Sequence, residues 1–417
     1  MKQIKIMGGN VLSGEIKISG SKNSAVALVP TALLSDGIVE IDNVPNISDI
    51  DALSEVLEYL GAKVTRKDKR IIIDSSKIES KSIPESLAKK LRASYYFMGA
   101  MLGKYKKVEM YFPGGCSIGE RPINLHLKGF EALGAKVTIE DNKYIVEADE
   151  LIGNNIYLDI ASVGATINIM LAAALAKGTT VIENAAKEPH IVNVAIFLNQ
   201  MGAKITGAGT SRITIEGVSK LKGAFHEVVP DYIEAGTYVI AGALCGDKLV
   251  IKNLIPSHIK SLTSKLKDMK IDFETGIDFI KISKTENMKP VDVSTAVYPG
   301  FPTDLQQIFC TLLTQCDGVS KIRETIWENR FMHVPYFNEM GANIEVSGNT
   351  AIIKGKTPLK GCEIVATDLR AGAAMVLAGL CADGVTTINS VEHILRGYED
   401  IIEKLSAVGA KIELIEI

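Results

Sequence analysis

Polar and apolar residues alternate along this chain in two phrases that keep returning. LGAKV closes a helix-like run at Gly61 and comes back as LGAKVTI at Gly134, MGAKITG at Gly202, MGANIEV at Gly341 and VGAKIEL at Gly409. A degenerate copy, DMKIDFE, puts Lys270 in the glycine's place. The glycine suits a left-handed helix C-cap, and the Lys-Val-Thr-Ile alternation after it suits a half-buried strand. Successive copies are spaced by 73, 68, 68, 71 and 68 residues, too regular for chance and longer than solenoid repeats of about 20–50 residues. Each of six units is therefore expected to be a small fold of two helices and several strands.

The second phrase runs out of phase with the first: ALLSDGIVEIDNV near Gly37, ALAKGTTVIENA near Gly178, ALCGDKLVIKNL near Asp247 and GLCADGVTTINSV near Gly384. It reads as an apolar helix, a Gly or Asp stop and a β-branched strand. The runs INIMLAAALA (167–176) and AAMVLAGLCA (373–382) are apolar almost all round, which places helices inside and sheets outside. The expected fold class is α/β: a two-domain inside-out α/β barrel built from six similar repeat units, three per domain.

A chain of 417 residues, 47% hydrophobic, exceeds what one core of roughly 250–300 residues accommodates. The polar turn Val229-Pro230-Asp231 marks the start of the second trio, and the N-terminal strand is expected to complete that domain. The domains are then 1–20 plus 230–417, discontinuous, and 21–229, which carries a cysteine loop at about 112–122.

Composition narrows the function. A net charge of −3 with no basic arm gives no electrostatic case for nucleic acid or a membrane surface. No stretch supplies about 18 uncharged apolar residues, and MKQIKIMGGN lacks a signal-peptide core, so a soluble cytoplasmic protein is expected. Six scattered cysteines and six histidines make no CxxC, HExxH or zinc spacing. Reduced thiols, no metal and no cofactor are expected.

Several segments could carry chemistry. SGSKNSAVAL sets Ser21, Lys22 and Asn23 ahead of an apolar helix, where free N–H groups and an ammonium favour an anion; an ordinary N-cap with a solvated lysine is the competing reading. FPGGCSIGERP sets Cys116 among glycines near Arg121, a setting that makes a thiol reactive. The other five cysteines read as small buried hydrophobes. The loop matches neither a P-loop nor a dinucleotide fingerprint. Arg92, Arg330, Arg370 and Arg396 stand in unusual contexts, and a guanidinium fork fits carboxylate or phosphate oxygens. Pairing of Arg370 with Asp368 or Glu399 is the plainer alternative. Asp304, after Pro302, is a first-turn carboxylate that serves as a cap or a base.

Taken together, SGSKNS, PGGCSIGERPINLHL, SVGAT, ENAAKEPHIV, FPTDLQ, ENRFMH, ATDLRAGA and RGYE resemble, from end to end, the UDP-N-acetylglucosamine 1-carboxyvinyltransferase family of enolpyruvyl transferases. The resemblance implies inside-out α/β domains and an addition–elimination. The sugar 3-hydroxyl attacks C2 of phosphoenolpyruvate, a proton reaches C3, and phosphate leaves. Such enzymes act in the first committed step of peptidoglycan synthesis, hence in cell wall biogenesis, cell shape and cell division. By resemblance, Cys116 delivers the C3 proton, can form a thioether and is the site alkylated by fosfomycin. Lys22, Arg121 and Arg396 bind phosphoenolpyruvate, with Arg92, Arg330 and Arg370 adding charge that stabilises the anionic intermediate. Asp304 is implied as general base, and Asn23 as a sugar contact. Arg121, Pro122, Ile123, Asn124, Leu125, Ser162, Val163, Gly164 and Ile326 are implied at the UDP-sugar, with Glu188 and Asp231 as polar neighbours. Ile160 replaces a lysine and Trp327 a phenylalanine of some members, which bears on single uridine-diphosphate contacts.

Two rivals have different consequences. 3-Phosphoshikimate 1-carboxyvinyltransferases share the fold and phosphoenolpyruvate, but the cysteine loop and GSKNS argue against them. A non-catalytic UDP-sugar-binding paralogue would not need Lys22, Cys116, Asp304 and Arg396 together. The expected partners are the two small-molecule substrates.

Overall fold

The computed structural model describes residues 2–114 and 123–416. These fall into two compact units, residues 20–114 with 123–229, and residues 2–19 with 230–416.

In the unit of residues 20–229, the helices α1 (Lys22–Thr31), α2 (Tyr96–Tyr105) and α3 (Val163–Ala173) form the interior. Every residue of α3 from Gly164 onward is buried. Contact between α2 and α3 needs a glycine, because a Cβ at Gly99 would meet the backbone oxygen of Asn168 at 2.5 Å. Asn168 uses that closeness: its Oδ1 accepts from the Gly99 N–H at 2.9 Å. The other unit is arranged around α4 (Tyr232–Cys245), α5 (Thr303–Thr314) and α6 (Leu369–Cys381), with α5 packed on both neighbours. Helices this apolar on all sides leave no face for water, and each buried Leu, Ile or Phe contributes about 1.5–3 kcal/mol.

Sheets flank these helices. In the unit of residues 20–229 the strand orders are Phe225–Glu227, Ile38–Asp42, Arg70–Asp74, Lys63–Lys67; then Lys204–Thr206, Arg212–Glu216, Thr179–Glu183, Asn155–Tyr157; then Lys107–Tyr111, Lys143–Glu147, Lys136–Glu140. The other unit also holds three sheets. One is completed by the N-terminal strand Lys2–Met7, which lies antiparallel to both Val385–Asn389 and Lys411–Glu416, so that Ile4 faces Ile388 on one side and Leu414 on the other. The strands alternate exposed and buried side chains, as in Lys2–Met7, where Ile4 and Ile6 point inward. Among the described residues the sheets are separate and open, of three or four strands each. The expected barrel is corrected to this extent: among the described residues the short strands hydrogen-bond within local groups of three or four and form no continuous ring.

Local chain chemistry explains where the elements stop. Gly61, Gly134, Gly202, Gly341 and Gly409 all take positive φ, between 95° and 109°, which only glycine adopts without steric cost. Lys270, in the same place, is also left-handed, at φ 62°. The second phrase ends its strand with another such residue. Asn43, Asn184 and Asn253 have φ of 55–59°, and their side-chain amides donate to Val228 O, Leu158 O and Ile18 O at 2.8–2.9 Å. Each amide thereby fastens the end of the parallel neighbouring strand, an asparagine use that tolerates the left-handed region.

Candidate active site

Asp304 lies in the first turn of α5, which begins after Pro302. Its Oδ1 accepts from Arg330 Nη2 at 2.9 Å and its Oδ2 from Arg370 Nη2 at 3.0 Å. The arginine side chains are only 4% exposed, whereas that of Asp304 is 27% exposed. Burial disfavours the carboxylate, but the two guanidinium charges and hydrogen bonds outweigh it and hold the carboxyl well below its ordinary range. Arg370 is correspondingly raised: burial opposes its charge, and Asp304 overcomes that, helped by Tyr398 and Asp231. Its guanidinium also stands 5.4 Å from the centre of the Tyr398 ring.

Arg370 therefore pairs with neither of the partners expected locally. Asp368 is occupied as the N-cap of α6, accepting from Arg370 N and Ala371 N at 2.9 and 3.0 Å, and Glu399 accepts from Ser19 Oγ. Gln307 links the pieces, donating to Asp368 Oδ2 at 2.9 Å while its Oε1 lies 3.4 Å from Arg330 Nε. Arg396 ends the short helix Glu392–Leu395, two residues before Tyr398. Asp231 caps α4 through Ile233 N and Glu234 N. Ile326 and Trp327 are held by a buried carboxylate, Glu324 Oε1, which accepts from both backbone N–H groups. The other Glu324 oxygen accepts from Thr303 at the start of α5, which ties this loop to the Asp304 turn.

The unit of residues 20–229 holds the remaining described candidates. Ser21 is the N-cap of α1, its hydroxyl accepting from Ser24 N, so the capping reading of this serine is correct. Lys22 and Asn23 lie inside the first turn rather than ahead of it. The lysine is not solvated: Nζ lies 2.8 Å from Asp49 Oδ2, with side chains 13% and 5% exposed. Ser162 caps α3 by accepting from Ala165 N, and Val163 and Gly164 start the helix. A Cβ at Gly164 would stand 2.7 Å from the His126 ring and 3.0 Å from the Tyr95 hydroxyl. The Tyr95 ring meets His126 edge-on and has the Arg92 guanidinium 5.9 Å from its centre. Arg92 and Ser162–Gly164 are thus brought to one place by Tyr95 and His126. Ile123, Asn124 and Leu125 open the helix Asn124–Ala132, and Glu188 takes the cap position of Pro189–Gln200. Ile160 is 66% exposed. Cys116, Arg121 and Pro122 lie outside the described residues.

His126 is buried and neutral. Its Nδ1 accepts from Asn168 Nδ2 at 2.8 Å, and burial, seconded by Arg92, lowers its pKa to about 3. The sequence pattern does not single out Asp49, Gln307, Tyr95 or His126. Asp49 carried a faint signal as a first-turn acid of the helix Ser48–Leu60, but its buried side belongs to tertiary packing. Among the described residues no group of three His, Cys, Asp or Glu side chains is arranged for a metal, and no helix is long and apolar enough to cross a membrane.

The family model for EPSP synthase (3-phosphoshikimate 1-carboxyvinyltransferase) matches residues 6–405. The chain belongs to the EPSP synthase family of enolpyruvyl transferases, in its UDP-N-acetylglucosamine 1-carboxyvinyltransferase branch. It is 53% identical over 412 residues to UDP-N-acetylglucosamine 1-carboxyvinyltransferase 2 of Geobacillus kaustophilus, covering 99% of this chain and 96% of that protein. It is 52% identical over 414 residues to the UDP-N-acetylglucosamine 1-carboxyvinyltransferase of Clostridium botulinum, covering 99% of both. Among solved structures, the enolpyruvyl transferase NikO from Streptomyces tendae superposes with a TM-score of 0.89 at 26% identity, over 99% of this chain and 98% of that one. EPSP synthase from Acinetobacter baumannii shares the fold, with a TM-score of 0.77 at 18% identity over the whole of both chains.

Proposed function

We propose that this protein transfers the enolpyruvyl group of phosphoenolpyruvate to the 3-hydroxyl of UDP-N-acetylglucosamine and releases phosphate, in the cytoplasm. Full-length identity above half with enzymes bearing that activity's name carries the reading. The six recurring phrases and two sets of three sheets support an inside-out architecture of six similar units, three per domain, with domains 1–20 plus 230–417 and 21–229.

In this reading each unit supplies part of the chemistry. Arg330 and Arg370 hold fixed positive charge where the anionic tetrahedral intermediate forms, and such preorganised charge needs no reorientation during reaction. Lys22, Arg92, Arg121 and Arg396 add cations for the phosphate and carboxylate of phosphoenolpyruvate. Cys116 protonates C3. Asn23, residues 121–125, Ser162–Gly164, Glu188, Asp231 and Ile326 contact the UDP-sugar.

Asp304 takes the hydroxyl proton, with one physical condition. Clamped by two arginines it is ionised but a weak base, because both charges favour the deprotonated form. It gains basicity when the arginines turn part of their hydrogen bonding to the ligand's anionic oxygens. The acid–base step is then coupled to occupancy of the site, and an empty site cannot misfire.

The acceptor assay tests the function. Protein and phosphoenolpyruvate are mixed with UDP-N-acetylglucosamine or with shikimate 3-phosphate, and phosphate is measured. Release with the UDP-sugar alone is expected. Release with shikimate 3-phosphate alone would move the chain to the other branch, and release with neither would leave a binding paralogue.

A further inference from the structure

Two cysteines that take no part in the proposed reaction end equivalent helices. Cys245 is the last residue of α4 and Cys381 the last of α6, and their sulfurs lie 3.5 Å apart. The backbone holds this approach as well as the side chains do. Leu12 N donates to Cys245 O at 2.8 Å and Gly9 N to Leu380 O at 3.0 Å, so residues 9–12 bind both helix ends at once. We propose that Cys245 and Cys381 form an oxidisable dithiol, a modification site at which a peroxide creates a disulfide joining the C-terminal ends of α4 and α6.

The surroundings favour this pair over Cys310 and Cys316. Cys310 and Cys316 are buried, and burial pushes both thiols up to about 12. Cys245 moves the other way. Its hydrogen bond with Cys381 lowers it, burial opposes, and the Lys284 ammonium lowers it further, while the same hydrogen bond and burial raise Cys381. The shared hydrogen bond thus favours Cys245 as the sulfur that gives up its proton and Cys381 as the one that keeps it. Cys245 is 8% exposed and Cys381 is half-buried, enough for a molecule as small as hydrogen peroxide.

The chemistry closes without any further reagent. The Cys245 thiolate attacks one peroxide oxygen, the O–O bond breaks, and a sulfenic acid and hydroxide form. The hydroxide takes the Cys381 proton, giving water. The Cys381 thiolate then attacks the Cys245 sulfur, the S–O bond breaks, and the leaving hydroxide is protonated to a second water. Two thiols are oxidised and one peroxide is reduced. The sulfurs must close from contact to about 2.05 Å, a shift within reach of side-chain rotation. The bond spans 136 residues, so it removes much freedom from the unfolded chain. It lies about 16 Å along α6 from Arg370, at the helix end away from the arginine–aspartate cluster.

The test treats the full chain with hydrogen peroxide, blocks free thiols with an alkylating agent and maps non-reduced peptides by mass spectrometry. A linked peptide pair, 245 with 381, about 2 Da lighter than its two thiols, is expected. In urea the oxidised protein should unfold at a midpoint roughly 0.5 M higher, a gain that a thiol reductant abolishes. Cys245→Ser and Cys381→Ser should each lose both effects, and Cys245→Ala serves if the serine disturbs folding. Alkylation of both cysteines after peroxide, overoxidation of Cys381 alone or linkage of either to Cys116 would overturn the proposal. A disulfide that leaves the urea midpoint unchanged would overturn its stapling role.

Discussion

Arg370, at the start of α6, donates to Asp304 Oδ2 at 3.0 Å from a different helix, while the other Asp304 oxygen faces Arg330. One carboxylate is shared by two nearly buried guanidinium groups, so the trio carries a net positive charge. Such a group is costly to bury and well suited to an anionic ligand. Removing the carboxylate separates its ion pairing from the base role proposed for it. Asp304→Asn should lower kcat by roughly 10²–10⁴-fold with little change in KM for phosphoenolpyruvate, because both arginines remain. It should also cost about 1–3 kcal/mol of stability, since the arginines lose a charged partner. Steady-state kinetics and urea unfolding measure the two. Unchanged kcat with lowered stability would make Asp304 a structural ion-pair partner only.

The same pair sets an acid limit. Asp304's folded pKa is depressed, so its stabilising contribution is complete above the unfolded value of about 3.9 and is lost as pH falls below that. Asp304→Asn should therefore flatten the stability curve below about pH 4, as read by urea midpoints from pH 5 to pH 3.

Buried histidines act at higher pH. His126 is lowered to about 3, and His226 and His333 to about 4, chiefly by burial. The unfolded forms take up protons near pH 6.5, so stability should fall as pH drops from about 6.5 toward 4, by up to about 1.4 kcal/mol per pH unit for each histidine. The loss has a structural route at His126, whose Nδ1 must stay unprotonated to accept from Asn168. His126→Gln should reduce that slope, measured by unfolding at pH 7, 6 and 5. An unaltered slope would contradict the buried neutral ring.

Lys270 holds a left-handed backbone, φ 62°, where the related phrases have glycine. A non-glycine residue there carries a steric cost of roughly 1–2 kcal/mol, offset in part by the greater freedom of an unfolded glycine. Lys270→Gly should stabilise the protein by about 0.5–1 kcal/mol without changing turnover, which calorimetry and the phosphate assay would show. Destabilisation would mean that the lysine side chain contributes more than its backbone costs.

Cys116→Asp should keep turnover yet resist fosfomycin, because a carboxyl can carry a proton but offers no sulfur nucleophile. Turnover measured after incubation with the drug decides this, and sensitivity equal to the parent would remove Cys116 from its proposed role.

Short-range pattern was enough for much of this molecule. The positive-φ glycines, the six-fold phrase with Lys270 in register, the helices apolar on every side and the cap at Ser21 are written within a few residues of each other. Backbone sterics and burial periodicity act at that range. Partner choice is a different matter. Asp304 meets residues 26 and 66 positions away, Lys22 turns to Asp49 across two helices, and two helix-end cysteines come into contact 136 positions apart. A first-turn aspartate looks alike whether it caps a helix or holds two arginines, because the distinction rests on charges delivered by other helices. Residue types and the repeating elements were therefore set locally, whereas ion pairing, burial and proton affinity were decided only when packing brought distant side chains into a medium of low dielectric.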